Sequence, residues 1–145
     1  MILIDSPPAA DTLNMTETAT PEDSDQRILV VEDSPMIQRV IEICLRQPAR
    51  HFDQRRDGAS GLAAARDLHP DLMILDIRLP GIDGWEVLRQ LRSTEDGQDV
   101  AVLVVTGHND AETRRRACDE GADGFISKPF RPDDLRRVVD LLVSG

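Results

Sequence analysis

The chain has 145 residues, 40% hydrophobic and 30% charged, which suits one domain built on a single core. No apolar run approaches the roughly 20 residues that span a bilayer, no basic-then-apolar opening marks a signal peptide, and Cys44 and Cys118 are too few for a disulfide framework or a zinc site. The net charge of −10 argues against nonspecific nucleic-acid binding, which depends on neutralising phosphates.

Residues 1–26 carry Asp5, Asp11, Glu17, Glu22, Asp23 and Asp25 and no Lys or Arg. The stretch from Asp5 is rich in Ser, Thr, Pro and acids, too polar to order itself around a core, so 1–26 is read as a disordered acidic tail. Nothing before Met15 reads as structural, which makes Met15 a candidate first residue. From Arg27 the pattern changes. Ile28-Leu29-Val30-Val31 is a short apolar strand running into Glu32 and Asp33. Ser34-Pro35 is a helix start, with Ser as N-cap and Pro in the first turn. Met36, Ile37, Val40, Ile41, Cys44 and Leu45 follow at helical spacing until Pro48. Residues 51–56 (HFDQRR) make a polar strand that belongs at a sheet edge. A helix from Gly58 to about His69 leads to an apolar strand over 71–76 that ends in Asp76.

The loop Pro80–Gly84 and a helix over 85–93 come next. Val100–Val105 is a second fully apolar strand, ending in Thr106. A helix over 110–120, a strand over 125–127 ending at Lys128-Pro129, and a helix over 132–143 complete the chain. The two cysteines fall in helices, as reduced small hydrophobes of a cytoplasmic protein. Five alternations of strand and helix imply a doubly wound parallel sheet covered on both faces. Right-handed crossovers bring the carboxyl ends of its strands to one edge, where such folds bind ligands.

That edge collects Glu32 and Asp33, Asp76, Thr106 and Lys128. Each alone has a plain explanation, such as acids before a helix N-terminus or a capping hydroxyl. Together they put three carboxylates, a hydroxyl and an ammonium in one pocket. Crowded carboxylates resist ionising together, and a hard divalent cation such as Mg²⁺ removes that penalty. The chain has 16 arginines and a single lysine, Lys128, so a compact point charge is required there rather than a planar fork. A carboxylate beside Mg²⁺, Lys and a hydroxyl suits an aspartyl nucleophile for phosphoryl transfer.

The fragments ILVVEDSP, DLMILDIRLPGIDGWEVLRQLR, VAVLVVTGH and GADGFISKPF resemble the receiver domain of two-component response regulators, the CheY-like family, over residues 27–143. The resemblance implies a (βα)5 flavodoxin-like fold with strand order 2-1-3-4-5. It implies that Asp76 accepts a phosphoryl group from a phosphohistidine of a sensor kinase or phosphotransfer protein. Mg²⁺ would be held by Asp33, Asp76 and the backbone carbonyl of Arg78, with Glu32 acting through a water. Lys128 would pair with phosphoryl oxygens, Thr106 would move toward them, and Phe125 would turn inward with it. Lys128-Pro129 is expected to be cis.

Three features depart from or modify the family pattern. Phe125 lacks the hydroxyl of a tyrosine, so an output contact there is apolar only. Asp53, Gln54, Arg55 and Arg56 make the second strand unusually polar. Arg78 and His108, each two residues past a site residue, are expected to tune phosphate lifetime, with Gly107 leaving the route open. Arg114, Arg115, Arg116, Arg131, Arg136 and Arg137 lie on the fourth and fifth helices, the family's usual signalling surface, and are expected to dock an acidic downstream protein. With the chain ending at Gly145, a stand-alone module without direct nucleic-acid or membrane binding is expected. The alternatives are a relay intermediate passing phosphate to a histidine phosphotransfer domain, and a phosphatase. The phosphatase reading suffers because Arg78 stands where such enzymes need a second Asp, so no enzymatic turnover is expected beyond the module's own phosphorylation and dephosphorylation.

Overall fold

The structure, a computed structural model, describes residues 2–4 as backbone, 25–108 and 110–144. Its elements are β1 (Ile2–Ile4), β2 (Gln26–Val31), α1 (Pro35–Leu45), β3 (Arg50–Arg55), α2 (Gly58–Leu68), β4 (Leu72–Asp76), α3 (Gly84–Arg92), a short 3-10 helix (Asp96–Asp99), β5 (Ala101–Thr106), α4 (Ala111–Asp119), β6 (Gly124–Ser127) and α5 (Pro132–Ser144). The strands form one parallel sheet in the order β1-β6-β5-β4-β2-β3. Counted from β2, that is the expected order 2-1-3-4-5.

Successive residues of the central strands point to opposite faces, and each face builds its own core. Leu29, Val31, Met73, Leu75, Val102 and Val104 pack with Leu62, Val87, Leu88 and Leu91 of α2 and α3. Ile28, Val30, Leu72, Ile74, Leu103 and Val105 pack with Ile41 and Leu45 of α1 and Leu135, Val138 and Val139 of α5. This is why these strands are apolar throughout rather than alternating. Ser34 caps α1 as expected, its Oγ accepting from the Ile37 N–H at 3.2 Å. Asp57, Asp83 and Asp110 cap α2, α3 and α4 in the same way. No helix among the described residues is long and apolar enough to cross a membrane.

Three expectations meet a different structure. Ile2–Ile4, read as part of the acidic tail, forms a sixth strand against Gly124–Ile126. Three apolar residues are too few to show a period, and only the edge they meet gives them a place. Gln26 likewise opens β2 rather than closing the tail, while Met15 and residues 5–24 lie outside the described residues. The polar second strand forms where expected, one residue earlier at each end: β3 pairs with β2 from Arg50 to Arg55. It is an edge strand, as its charges suggested, so its outward groups stay in water. Cys44 is half-buried, whereas Cys118 is exposed on α4 rather than serving as a core residue.

Candidate functional site

The site forms where four parallel strands end together. The register sets Val31 beside Leu75, Asp76 beside Val105, and Thr106 beside Ser127, so the residues that follow or close these strands share one rim. Lys128 joins them from the end of β6, its N–H donating to the Thr106 carbonyl at 2.8 Å. The Lys128-Pro129 bond is cis.

Glu32, Asp76 and Thr106 are all buried. The Lys128 ammonium donates to Glu32 Oε1 at 3.2 Å and to Asp76 Oδ2 at 3.3 Å. One positive charge thus serves two buried carboxylates. Burial pushes the Glu32 carboxyl above its usual range and the Asp76 charge adds to this, while the Ser34 N–H and Lys128 pull it back. The Ser34 N–H reaches Glu32 Oε2 at 3.1 Å. Asp33, the next residue, is exposed at the rim and adds a third carboxylate. Among the described residues, no three ligating side chains stand together in metal-binding geometry. Even so, three carboxylates served by one ammonium are left short of positive charge, and Mg²⁺ accepts such carboxylate oxygens alongside waters.

The Asp76 side chain is fixed on its other oxygen by the Arg78 N–H, at 3.3 Å from Oδ1. A cavity of about 330 Å³ opens above it, lined by Asp76, Arg78, Gly107, His108 and Lys128. Gly107 leaves open space where a side chain would stand. Arg78 Nη2 meets His108 Nε2 at the mouth, so the two residues expected to tune lifetime touch each other. The Thr106 hydroxyl accepts from the His108 N–H at 3.3 Å, which ties the His108 backbone to the site. Below, the Gly84 N–H donates to the Ile77 carbonyl at 2.8 Å. A Cβ on Gly84 would lie 2.5 Å from the Asp76 carbonyl oxygen, so the loop after Asp76 closes this tightly only with glycine at that position.

Phe125 is already inside, 1% exposed in the core under α4, so the expected inward turn has no outward position to start from in this structure. A phenyl ring without a hydroxyl has no polar anchor at the surface. Three of the six arginines expected to form the signalling face pair with acids of their own helices. Arg116 sits over the Trp85 ring at 4.6 Å and pairs with Glu120 at 3.7 Å. Arg136 pairs with Asp133 at 3.1 Å, and Arg137 with Asp134 at 3.5 Å. Arg114 is half-buried, while Arg115 and Arg131 are exposed.

Sequence reasoning missed Gln38. Its buried amide donates to the carbonyls of Glu32 at 3.0 Å and Arg55 at 2.8 Å, fastening the ends of β2 and β3. The available signal was a polar residue on the inward side of α1, one turn before Ile41 and two before Leu45.

The sequence matches the response regulator receiver domain family over residues 28–140. Among curated proteins it is 38% identical over 117 residues to the DNA-binding dual master transcriptional regulator RpaA of Synechocystis, covering 80% of this chain and 48% of that one. It is 37% identical over 110 residues to the DNA-binding response regulator MtrA of Mycolicibacterium smegmatis, covering 76% and 47%. The chain therefore spans about half the length of these relatives. Among solved structures, the receiver domain of a sensor histidine kinase from Pseudomonas aeruginosa, with magnesium in its active-site cleft, is 30% identical. It aligns with a TM-score of 0.76, covering 84% of this chain and 100% of that one. A response regulator from Chloroflexus aurantiacus shares the fold with a TM-score of 0.79 at 24% identity, covering 84% and 100%.

These relatives correct the expectation of partners that exclude nucleic acid. That expectation rested on net charge and on where the chain ends. The named relatives are DNA-binding regulators in which a domain like this one is about half of the protein, so an acidic receiver is compatible with a DNA-binding partner. A net charge describes the receiver surface alone, and that surface need not be the one that meets DNA. By the match over residues 28–140, the chain belongs to the receiver domain family of two-component response regulators.

Proposed function

We propose that Asp76 is the phosphoacceptor of this receiver and takes its phosphoryl group from a phosphohistidine. The observation that carries the reading is the pairing of Lys128 with both Glu32 and Asp76. It leaves Asp76 Oδ2 next to a point charge suited to an incoming phosphoryl oxygen. In the transfer, an Asp76 carboxylate oxygen forms the bond to phosphorus as the bond to the histidine nitrogen breaks, and the imidazole leaves. Asp33, Asp76 and the Arg78 carbonyl would hold Mg²⁺, with Glu32 one water away. Bound there, the ion would neutralise charge on the phosphoryl group and the carboxylates. Lys128 holds the phosphoryl oxygens from the opposite side, and the Thr106 hydroxyl, now engaged by the His108 N–H, becomes their further donor.

Met36, Val40 and Ile43 project from α1 into solvent, starting at the rim of the pocket. This apolar stripe supports docking of a protein donor rather than a small molecule. Arg78 stands where a phosphatase would need an acid, so the chain turns over no phosphomonoester of its own. The DNA-binding relatives support an output that reaches a DNA-binding partner. Likeness to the receiver of a sensor kinase favours, as a second reading, a relay step onto another histidine.

Intact mass after incubation with Mg²⁺ and a small phosphodonor tests the assignment. The native chain should gain one phosphoryl group and Asp76→Asn none. Equal labelling of both would break it.

A further inference from the structure

The two edges of the sheet are protected in different ways. An open edge presents unpaired N–H and C=O groups that invite another strand, and charged side chains are the usual deterrent. β3 has that deterrent in Arg50, His51, Asp53 and Arg55. β6 has none: its residues are Gly124, Phe125, Ile126 and Ser127, the first three of them buried. Its outer side is covered instead by β1, in parallel register, with Ile2 beside Gly124, Leu3 beside Phe125 and Ile4 beside Ile126. β1 also lies against α5.

The geometry points to the outer edge of β6 as a strand-acceptor surface, with Ile2–Ile4 as its resident occupant. The surface recognises an extended apolar segment by main-chain hydrogen bonds, as in strand addition to a sheet edge. With only three residues, the resident ladder is short enough to exchange. It belongs to the same chain, so it competes at the high local concentration of a tethered segment. While in place it closes the uncharged edge to strands from other molecules. The strand it covers carries Phe125 and runs directly into Lys128, so occupancy of this edge is felt one residue from the pocket. None of this depends on Asp76 being the phosphoacceptor.

The test uses the full chain and its Leu3→Pro/Ile4→Pro double variant. Alternate residues of a strand aim their N–H groups at opposite edges, so two adjacent prolines remove a donor whichever one faces β6. Hydrogen exchange is followed at the outward-facing amides within Gly124–Ile126, with Leu72–Asp76 of β4 reporting the core. The double variant should exchange at least tenfold faster at β6 and unchanged at β4. A synthetic peptide of residues 1–8 should restore β6 protection in the variant and leave the native chain unaltered. Equal β6 exchange in both chains would overturn the proposal, as would failure of the peptide to restore protection. So would exchange that rises equally in β4, because a cover acts on its own edge.

Discussion

Arg78 and His108 meet across the mouth of the Asp76 cavity, guanidinium Nη2 against imidazole Nε2. A guanidinium can only donate, so His108 Nε2 is the acceptor in this contact. At the cavity mouth the pair is expected to screen a phosphoryl group on Asp76 from the direct line of approaching water. His108→Ala opens that line without touching Asp76, Lys128 or Thr106. The phosphorylated variant should lose its phosphate about threefold faster, a change of roughly 0.7 kcal/mol in barrier. The decay of the phosphorylated mass with time measures it, and an unchanged half-life would show that the pair does not gate water.

Glu32 gives the unphosphorylated protein an unusual pH dependence. Burial lifts its carboxyl above the ordinary 4.5, so the folded state holds the proton more tightly than the unfolded chain does. Where the unfolded state binds fewer protons, stability falls as pH rises. Between the ordinary value and the raised one, Glu32 therefore costs stability progressively, and above that window the cost is complete. Glu32→Gln keeps one acceptor oxygen, for either Lys128 or the Ser34 N–H, and removes the charge. In Mg²⁺-free buffer its urea midpoint at pH 7 should exceed that of the native chain, by about 1 kcal/mol in stability. The gap should close on acidification below the ordinary glutamate range. A gap that does not vary with pH would mean that Glu32 carries no such penalty.

Gly84 packs against the backbone of Asp76 and Gly107 lines the pocket above it, and the two should respond in opposite ways. A Cβ on Gly84 would stand 2.5 Å from the Asp76 carbonyl oxygen and 2.6 Å from Ile77 Cα, both backbone atoms that cannot swing aside. Gly84→Ala should destabilise by about 1–3 kcal/mol, the scale of overpacking, and slow the labelling of Asp76 by moving its backbone. Gly107→Ala meets nothing within 4 Å and should stay within about 0.5 kcal/mol of the native chain. Urea denaturation of the two variants side by side checks both.

What the sequence makes legible here is what strand order alone decides. Asp76, Thr106 and Lys128 each end an apolar run, and a parallel sheet must bring such ends to one rim, so the pocket follows from the pattern. What is lost depends on side-chain direction or on short segments. The contact of Arg78 with His108 needs two rotamers to converge from two loops. Arg116 reads as one of a basic row until it is seen lying over Trp85. Gln38 reads as one polar residue in a helix, although it fastens two strands. The 3-10 helix Asp96–Asp99 turns on backbone bonds such as Val100 N–H to the Gly97 carbonyl at 3.4 Å, which leave no hydrophobic period.

Mg²⁺ binding is separable from phosphorylation by its effect on stability. A ligand that binds only the folded state stabilises it by RT ln(1 + [L]/Kd), about 2.7 kcal/mol at a hundredfold excess over Kd. Added Mg²⁺ should raise the urea midpoint at pH 7 without any phosphodonor. The rise should shrink on acidification, because protons compete with a metal ion for carboxylate ligands. Asp33→Asn should abolish it, since Asp33 is the one acid of the three with no lysine beside it and an exposed position at the rim. Lys128→Ala should enlarge it, because that change leaves Glu32 and Asp76 with no counter-charge at all. If the midpoint in Asp33→Asn still rises with Mg²⁺ as in the native chain, the ion is binding elsewhere and Asp33 is not a ligand.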